Sequence, residues 1–268
     1  MSTFKQCPLR WKFKYIDGRK EPSGYPAVFG SFVHLVLEEF YKLDNFERDE
    51  KHMKELASSV WEEYSVSGEF VDVVGDDPAV LLDFKQKAWV SLSSIWDVEE
   101  PKKVDVMETE AAFDIEVGDA NVVGFIDRVD AVGSDYHIID YKSGSAPMKR
   151  YERDKLMQLY VYGWAMREKL GFIPGTGKLV FLNSRVITER LTEPKIKAAE
   201  KMISDTVVKI RTGKEKGFEP ITGPLCGWCS FIEECPEGTE AMVARFKEGR
   251  LKKTAPAYEY VKRVRNSS

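Results

Sequence analysis

The chain has 268 residues, 43% hydrophobic and 31% charged, a composition that supports a packed core and excludes a collagen-like or low-complexity polymer. A formal net charge of −4 excludes a simple polycation that would hold nucleic acid by bulk charge alone. No apolar run approaches the ~20 residues that span a bilayer, and residues 1–7 carry no apolar signal core, so a soluble protein of a reducing, cytoplasmic compartment, bacterial or phage-like and without a membrane partner, is expected.

In chain order, residues 1–30 are aromatic and basic, with turn signals at Asp17-Gly18 and at Glu21-Pro22-Ser23-Gly24. Ser31 reads as the N-cap of a helix whose apolar stripe is Phe32, Leu35, Val36, Phe40 and Leu43. Two more helices are expected over 48–66 and 78–97. Their stripes, with Leu56, Val60, Trp61 and Tyr64 and then Leu81, Phe84, Trp89 and Leu92, read as core. Pro101 closes this helical part. Strand-like runs follow at 104–117, 121–132 and 136–142, separated by turns at 118–121 and at Gly133-Ser134. A helix over 148–170, strands over 178–184 and 186–191 and a helix over 193–211 complete the regular part. The order predicts an α/β fold in a single domain, with residues 44–103 as a helical insert.

Charge is unevenly spread. Lys5, Arg10, Lys12, Lys14, Arg19 and Lys20 crowd the N-terminal stretch, and Arg245, Lys247, Arg250, Lys252, Lys253, Lys262, Arg263 and Arg265 crowd a basic tail at 241–268. Either end alone reads as a solvated helix face.

The sharpest local feature is the pair of runs Gly124-Phe125-Ile126-Asp127-Arg128 and Ile138-Ile139-Asp140-Tyr141-Lys142. If Gly133-Ser134 is a two-residue turn, Val132 faces Asp135, and stepping back along both strands sets Asp127 opposite Asp140. Directly opposed residues hold their Cβ atoms ~4.5–5.5 Å apart on one face. Lys142 shares that face with Asp140. Opposed like charges are unfavourable unless a divalent cation such as Mg²⁺ or Mn²⁺ reverses the sign, and carboxylate oxygens are its preferred ligands. The bland alternative is a pair of solvated aspartates. Against it, Phe125, Ile126, Ile138 and Ile139 make both strands apolar on both sides, as in a buried sheet.

These residues carry a resemblance. Asp127 followed by Asp140-Tyr141-Lys142 resembles the D…DXK core of RecB-like PD-(D/E)XK nucleases. Gly30-Ser31-Phe32-Val33-His34 resembles that family's Gly-x-x-x-His helix start, and Gln158 to Tyr162 its Gln-x-x-x-Tyr helix. The four elements stand in the family's order and are most similar to the fourth CRISPR-associated (Cas) protein family and the AddB nuclease domain. The resemblance implies a restriction-endonuclease-like core, a central mixed sheet flanked by helices. It also implies roles. His34, Asp127, Asp140 and the main-chain carbonyl of Tyr141 would hold Mg²⁺ or Mn²⁺. Lys142 would position or deprotonate the attacking water, and Gln158 and Tyr162 would hold the DNA strand or the lysine. Glu38 and Glu110 are weaker supporting residues.

The chain has four cysteines: Cys7, and Cys226, Cys229 and Cys235. A Cys-x-x-Cys pair in a reducing compartment suggests metal before disulfide. No histidine lies near enough in sequence to complete a zinc finger, so Cys7 is the natural fourth ligand. Four thiolates suit Zn²⁺ and an iron–sulfur cluster equally by softness. The resemblance implies a 4Fe-4S cluster, formed by residues 1–20 and 220–240, with Pro8 and Pro236 fitting the same pattern. Such a clamp would join the two basic ends and leave Trp11 and Trp228 available for base stacking or for shielding the cluster.

The expected function is therefore a metal-dependent DNA nuclease, acting as an exonuclease on single-stranded ends in recombination, repair or CRISPR adaptation, with a helicase, recombination or CRISPR protein as partner. The alternatives are a nuclease-like module that holds DNA ends for a helicase or integrase, and an RNA nuclease.

Overall fold

The computed structural model describes residues 2–267. By internal contacts the chain divides into two compact units, residues 23–202 and residues 1–22 with 203–268.

The larger unit opens on α3 (Tyr25–Lys42), after α1 (Ser2–Gln6) and α2 (Pro8–Tyr15) of the other unit. Helix α3 starts six residues before the Ser31 expected as its cap. Gly24 is the N-cap and Pro26 sits in the first turn, where its missing N–H has no partner to lose. The insert supplies α4 (Glu50–Tyr64), α5 (Gly68–Val74), α6 (Pro78–Ser93) and α7 (Ile95–Val98). Helix α6 begins where it does because Asp77 accepts from the N–H groups of Ala79 and Val80, with Pro78 next to it.

Five strands follow, β1 (Val106–Val117), β2 (Ala120–Val132), β3 (Asp135–Lys142), β4 (Thr176–Phe181) and β5 (Arg185–Arg190), in the spatial order β1-β2-β3-β4-β5. Strand β3 pairs with β4 in parallel and the other pairs are antiparallel, so the sheet is mixed. The parallel step requires a crossover, which is α8 (Glu152–Leu170), ended by Gly171 in the left-handed conformation. Helix α9 (Glu193–Lys216) follows β5.

Period-two alternation sends neighbouring residues of the central strands into different cores. Ile139, Tyr141 and Val180 join Phe32, Val36 and Phe40 of α3 with Met53, Phe70, Phe84 and Leu92 of the insert. Ile138, Leu179 and Phe181 join Leu159, Tyr162 and Met166 of α8. The sheet is thus covered on both faces at β3 and β4. The expectation that the hairpin strands are buried on both sides fails in the outer half of β2. Phe125 is 59% exposed and Val123 69%, because β1 and β2 run out past the helices that cover the rest of the sheet. No helix among the described residues is long and apolar enough to cross a membrane.

In the smaller unit Trp11 packs on Phe4, Tyr15 and Phe218, and Phe13 on Phe231. Its C-terminal part differs from the expected tail. It forms α10 (Pro236–Lys247) and α11 (Tyr258–Ser267), which pack Met242, Leu251 and Val261 into a small core with Ile232. The apolar spacing of these helices is hidden by intervening lysines and arginines.

Candidate active site

The Gly133-Ser134 turn sets Val132 opposite Asp135, and the β2–β3 pairing continues through Arg128 opposite Ile139. There it stops. One step further the strands part, and the N–H of Tyr141 donates to Oδ2 of Asp127 at 2.7 Å instead of to a main-chain carbonyl. Strand β1 contributes to the opening. Its pairing passes from Thr109 opposite Arg128 to Ala111 opposite Ile126, leaving Glu110 beside Asp127 with a φ of 46°. A non-glycine residue in this region costs on the order of 1–3 kcal/mol and persists only where its surroundings hold it.

Helix α3 supplies His34, whose Nδ1 stands 3.4 Å from Oδ2 of Asp127. The helix reaches the end of β3 because of Gly30: a Cβ there would lie 3.0 Å from Oγ of Ser143. The Gly-x-x-x-His spacing is thus a close approach followed, one turn later, by a side chain aimed at the strands. Burial opposes protonation of His34. The hydrogen bond to Asp127 and the charges of Asp127 and Asp140 outweigh it, and its pKa lies above the usual histidine value.

Asp140 is almost fully buried, at 1% exposure. Lys142 Nζ stands 2.5 Å from its Oδ2, yet that oxygen receives no hydrogen bond of acceptable angle. Burial, opposed by Lys142 and reinforced by the charge of Asp127, raises the Asp140 carboxyl to about 6. Glu110 is raised as well, by burial and by the charges of Asp127 and Glu38. Helix α8 closes the site from the other face. Gln158 Nε2 donates to Tyr162 Oη at 2.5 Å, and Tyr162 Oη donates to Oδ1 of Asp140 at 3.4 Å. The Gln-x-x-x-Tyr pair was expected to hold the DNA or the lysine. In this structure it is turned onto the aspartate, because one helical turn stacks the two side chains over β3.

The site has a buried backing that sequence reasoning missed. Arg128, 1% exposed, donates to Tyr141 Oη at 2.6 Å, to Glu99 at 2.7 and 2.9 Å and to Asp130 at 2.9 Å. Its guanidinium lies 3.9 Å from the ring centre of Tyr41. The available signal was an arginine set between Ile126 and Val129 in an apolar strand, since a buried charge needs partners.

Among the described residues no three His, Cys, Asp or Glu side chains stand close enough together to hold a metal ion as they are. The carboxylates are turned onto Tyr141, Tyr162 and Lys142. The donor chemistry nevertheless fits a hard divalent cation. Two carboxylates and an imidazole converge, and one carboxylate oxygen is buried with no hydrogen bond.

The four cysteines are free thiols of the smaller unit. Cys7 and Cys235 are the N-caps of α2 and α10, with Sγ accepting from Arg10 N at 3.5 Å and from Gly238 N at 3.3 Å. Cys226 Sγ accepts from Gly223 N at 3.4 Å. Burial raises the thiols of Cys229 and Cys235, and the charges of Cys7 and Cys226 raise them further. Among the described residues the four thiols do not stand close enough together, as they are, to hold a metal group, although four thiolates are the soft donors that such a group takes. Trp228 is exposed, and Trp11 packs among Phe4, Tyr15 and Phe218.

A family model described as the PD-(D/E)XK nuclease superfamily matches residues 1–236. No curated protein matches the chain. Among solved structures, a protein of Eubacterium rectale described as a candidate exonuclease is 13% identical over 87% of this chain and 80% of its own, with a TM-score of 0.51, a likeness of fold. A second, SSO0001, is 17% identical over 86% of this chain and 94% of its own, with a TM-score of 0.36.

Proposed function

The chain belongs to the PD-(D/E)XK nuclease superfamily, whose members are hydrolytic and use divalent metals, generally Mg²⁺ or Mn²⁺, and we propose that it is a DNA exonuclease acting on single-stranded ends. The observation that carries this reading is the convergence of Asp127, Asp140, Lys142 and His34 where β2 and β3 part. His34, Asp127, Asp140 and the carbonyl of Tyr141 would hold the cation. When bound, it would polarise the phosphoryl oxygen and lower the pKa of water.

The chain's own groups do the rest. Lys142 orients the attacking water and offsets charge on the phosphoryl oxygens. Water oxygen bonds to phosphorus and gives up one proton to solvent, the phosphorus–oxygen bond to the leaving sugar breaks, and the leaving sugar oxygen takes up a proton from solvent to become a hydroxyl. Tyr162 and Gln158 keep Asp140 in place. The preference for single-stranded ends and a role in recombination, repair or CRISPR adaptation rest on the resemblance in motif. Cys7, Cys226, Cys229 and Cys235 would hold a 4Fe-4S cluster that fastens the smaller unit. Basic residues near it, such as Arg10 and Lys12, would meet phosphates.

The test is cleavage of end-labelled single- and double-stranded DNA with and without Mn²⁺. Metal-dependent shortening of single strands from an end is expected. Intact DNA under all conditions, or shortening that EDTA does not stop, overturns the reading.

A further inference from the structure

Arg128 immediately follows Asp127, and Tyr141 immediately follows Asp140. The side chains of these two followers meet, with Arg128 Nη1 donating to Tyr141 Oη at 2.6 Å. We propose that Arg128 and Tyr141 form a clasp that fixes the separation of the two aspartates, and that Glu99, at the end of the helical insert, locks it. This rests on the nuclease reading and adds two side chains that act through the aspartates; neither the guanidinium of Arg128 nor the phenol of Tyr141 touches cation or DNA, although the main-chain carbonyl of Tyr141 is a proposed ligand.

Three observations carry it. First, the clasp acts on Asp127 twice: Arg128 is bonded to it along the chain, and Tyr141 gives it the 2.7 Å hydrogen bond from its own N–H. The β2–β3 ladder ends at Arg128 and Ile139, so no main-chain pairing holds the strands together at the aspartates themselves. Second, the guanidinium is too deeply buried to reorient. Its planar fork is bound to Glu99, Asp130 and Tyr141 and covered by the Tyr41 ring. A fork of fixed shape transmits position in a way a flexible ammonium does not. Third, the pairing is completed from outside the sheet. Glu99 caps the C-terminus of α7, receives both Nη atoms of Arg128 and also bonds the hydroxyl of Tyr41 on α3. Insert, α3 and both catalytic strands therefore meet at one buried charge, which costs heavily if any partner is lost.

The test is Mn²⁺ affinity without DNA, read by electron paramagnetic resonance of free Mn²⁺, alongside melting temperature and steady-state kinetics. Tyr141→Phe removes one hydroxyl and leaves every proposed metal donor. Loss of an outer partner of a metal site weakens metal binding by about 10-fold to 100-fold. The Tyr141→Phe protein is expected to bind Mn²⁺ about 10-fold more weakly. Its KM for DNA should be unchanged, and excess Mn²⁺ should restore kcat. A lower melting temperature with unchanged Mn²⁺ affinity makes the contact purely structural and overturns the proposal. Should that variant not fold, Glu99→Gln keeps an acceptor for Arg128 and removes a charge. A smaller weakening in the same direction supports the clasp, and wild-type affinity overturns it. A wild-type protein that binds no Mn²⁺ overturns the nuclease reading, and the clasp with it.

Discussion

Tyr162 Oη donates to Oδ1 of Asp140 across 3.4 Å, and its own acceptor role is filled by Gln158 Nε2. The buried acid is thus oriented by a tyrosine that a glutamine orients in turn. Tyr162→Phe leaves Asp140 with one donor fewer in a site that already lacks one. Removing a hydrogen bond to a buried group costs about 1–3 kcal/mol. The expected result is a several-fold lower kcat at saturating Mn²⁺ with intact DNA binding, read by single-turnover cleavage and fluorescence anisotropy. Gln158→Ala should give a weaker version of the same defect. A defect in DNA binding alone would return the pair to a strand-holding role.

The Asp140 carboxyl at about 6 predicts a specific pH slope. Its folded value lies above the ~3.9 of a free aspartate, so its contribution to stability is fully present below that value and is lost as pH rises through about 6. The loss is on the order of 3 kcal/mol. Metal-free wild type should therefore lose stability relative to Asp140→Asn as pH rises from about 4 to about 7, judged against the free-aspartate value. Mn²⁺, which binds the ionised form, should flatten the wild-type slope. Paired thermal melts of the two proteins measure it, and parallel metal-free curves would mean that the Asp140 carboxyl is not raised by its burial. Cleavage by Asp140→Asn should be lost throughout.

His34→Ala should raise the Mn²⁺ concentration needed for half-maximal cleavage by at least ten-fold while changing the melting temperature little. Loss even of an outer partner of a metal site has an effect of about that size, and the His34 side chain keeps 30% of its surface exposed, outside the fully buried core. A large drop in melting temperature with an unchanged Mn²⁺ titration would make His34 a packing residue.

Purified without oxygen, the protein should be brown and contain iron and acid-labile sulfide in equal amounts. Cys7→Ala should lose both and destabilise the smaller unit, whose α2 is capped by Cys7. Mn²⁺ binding at the aspartates should be kept. Elemental analysis is the check, and stoichiometric zinc in a colourless protein would reassign the four thiols to zinc.

The hairpin was legible because the register follows from turn length and the face from alternation, both local quantities. Gly133-Ser134 alone sets Val132 against Asp135. What local reasoning could not supply was where the pairing ends, since that depends on β4 drawing β3 into a parallel pair and on Glu110 leaving the β1 ladder. The same limit hid the partners of Arg128. Its charge required a carboxylate, but which one depends on the insert folding Glu99 back onto the sheet. Ser31 is a good cap in isolation, yet Gly24 and Pro26 start α3 nearly two turns earlier. Helix α11 was missed because its apolar positions are sparse among charged ones.

The two-residue turn that joins β2 to β3 carries an accounting rule for insertions. A single residue added at Gly133-Ser134 shifts one strand by one position against the other and exchanges its two faces. Asp127 would then lose the Tyr141 N–H, and the Arg128 side chain would be carried out of its cage. Both the chemistry and the buried charge would fail in one step, with no intermediate form that keeps either. Two added residues preserve the faces and lengthen only the far end of the hairpin. Natural length variation between these strands should therefore occur in even numbers, or be absorbed by a bulge on the side of the turn away from the aspartates.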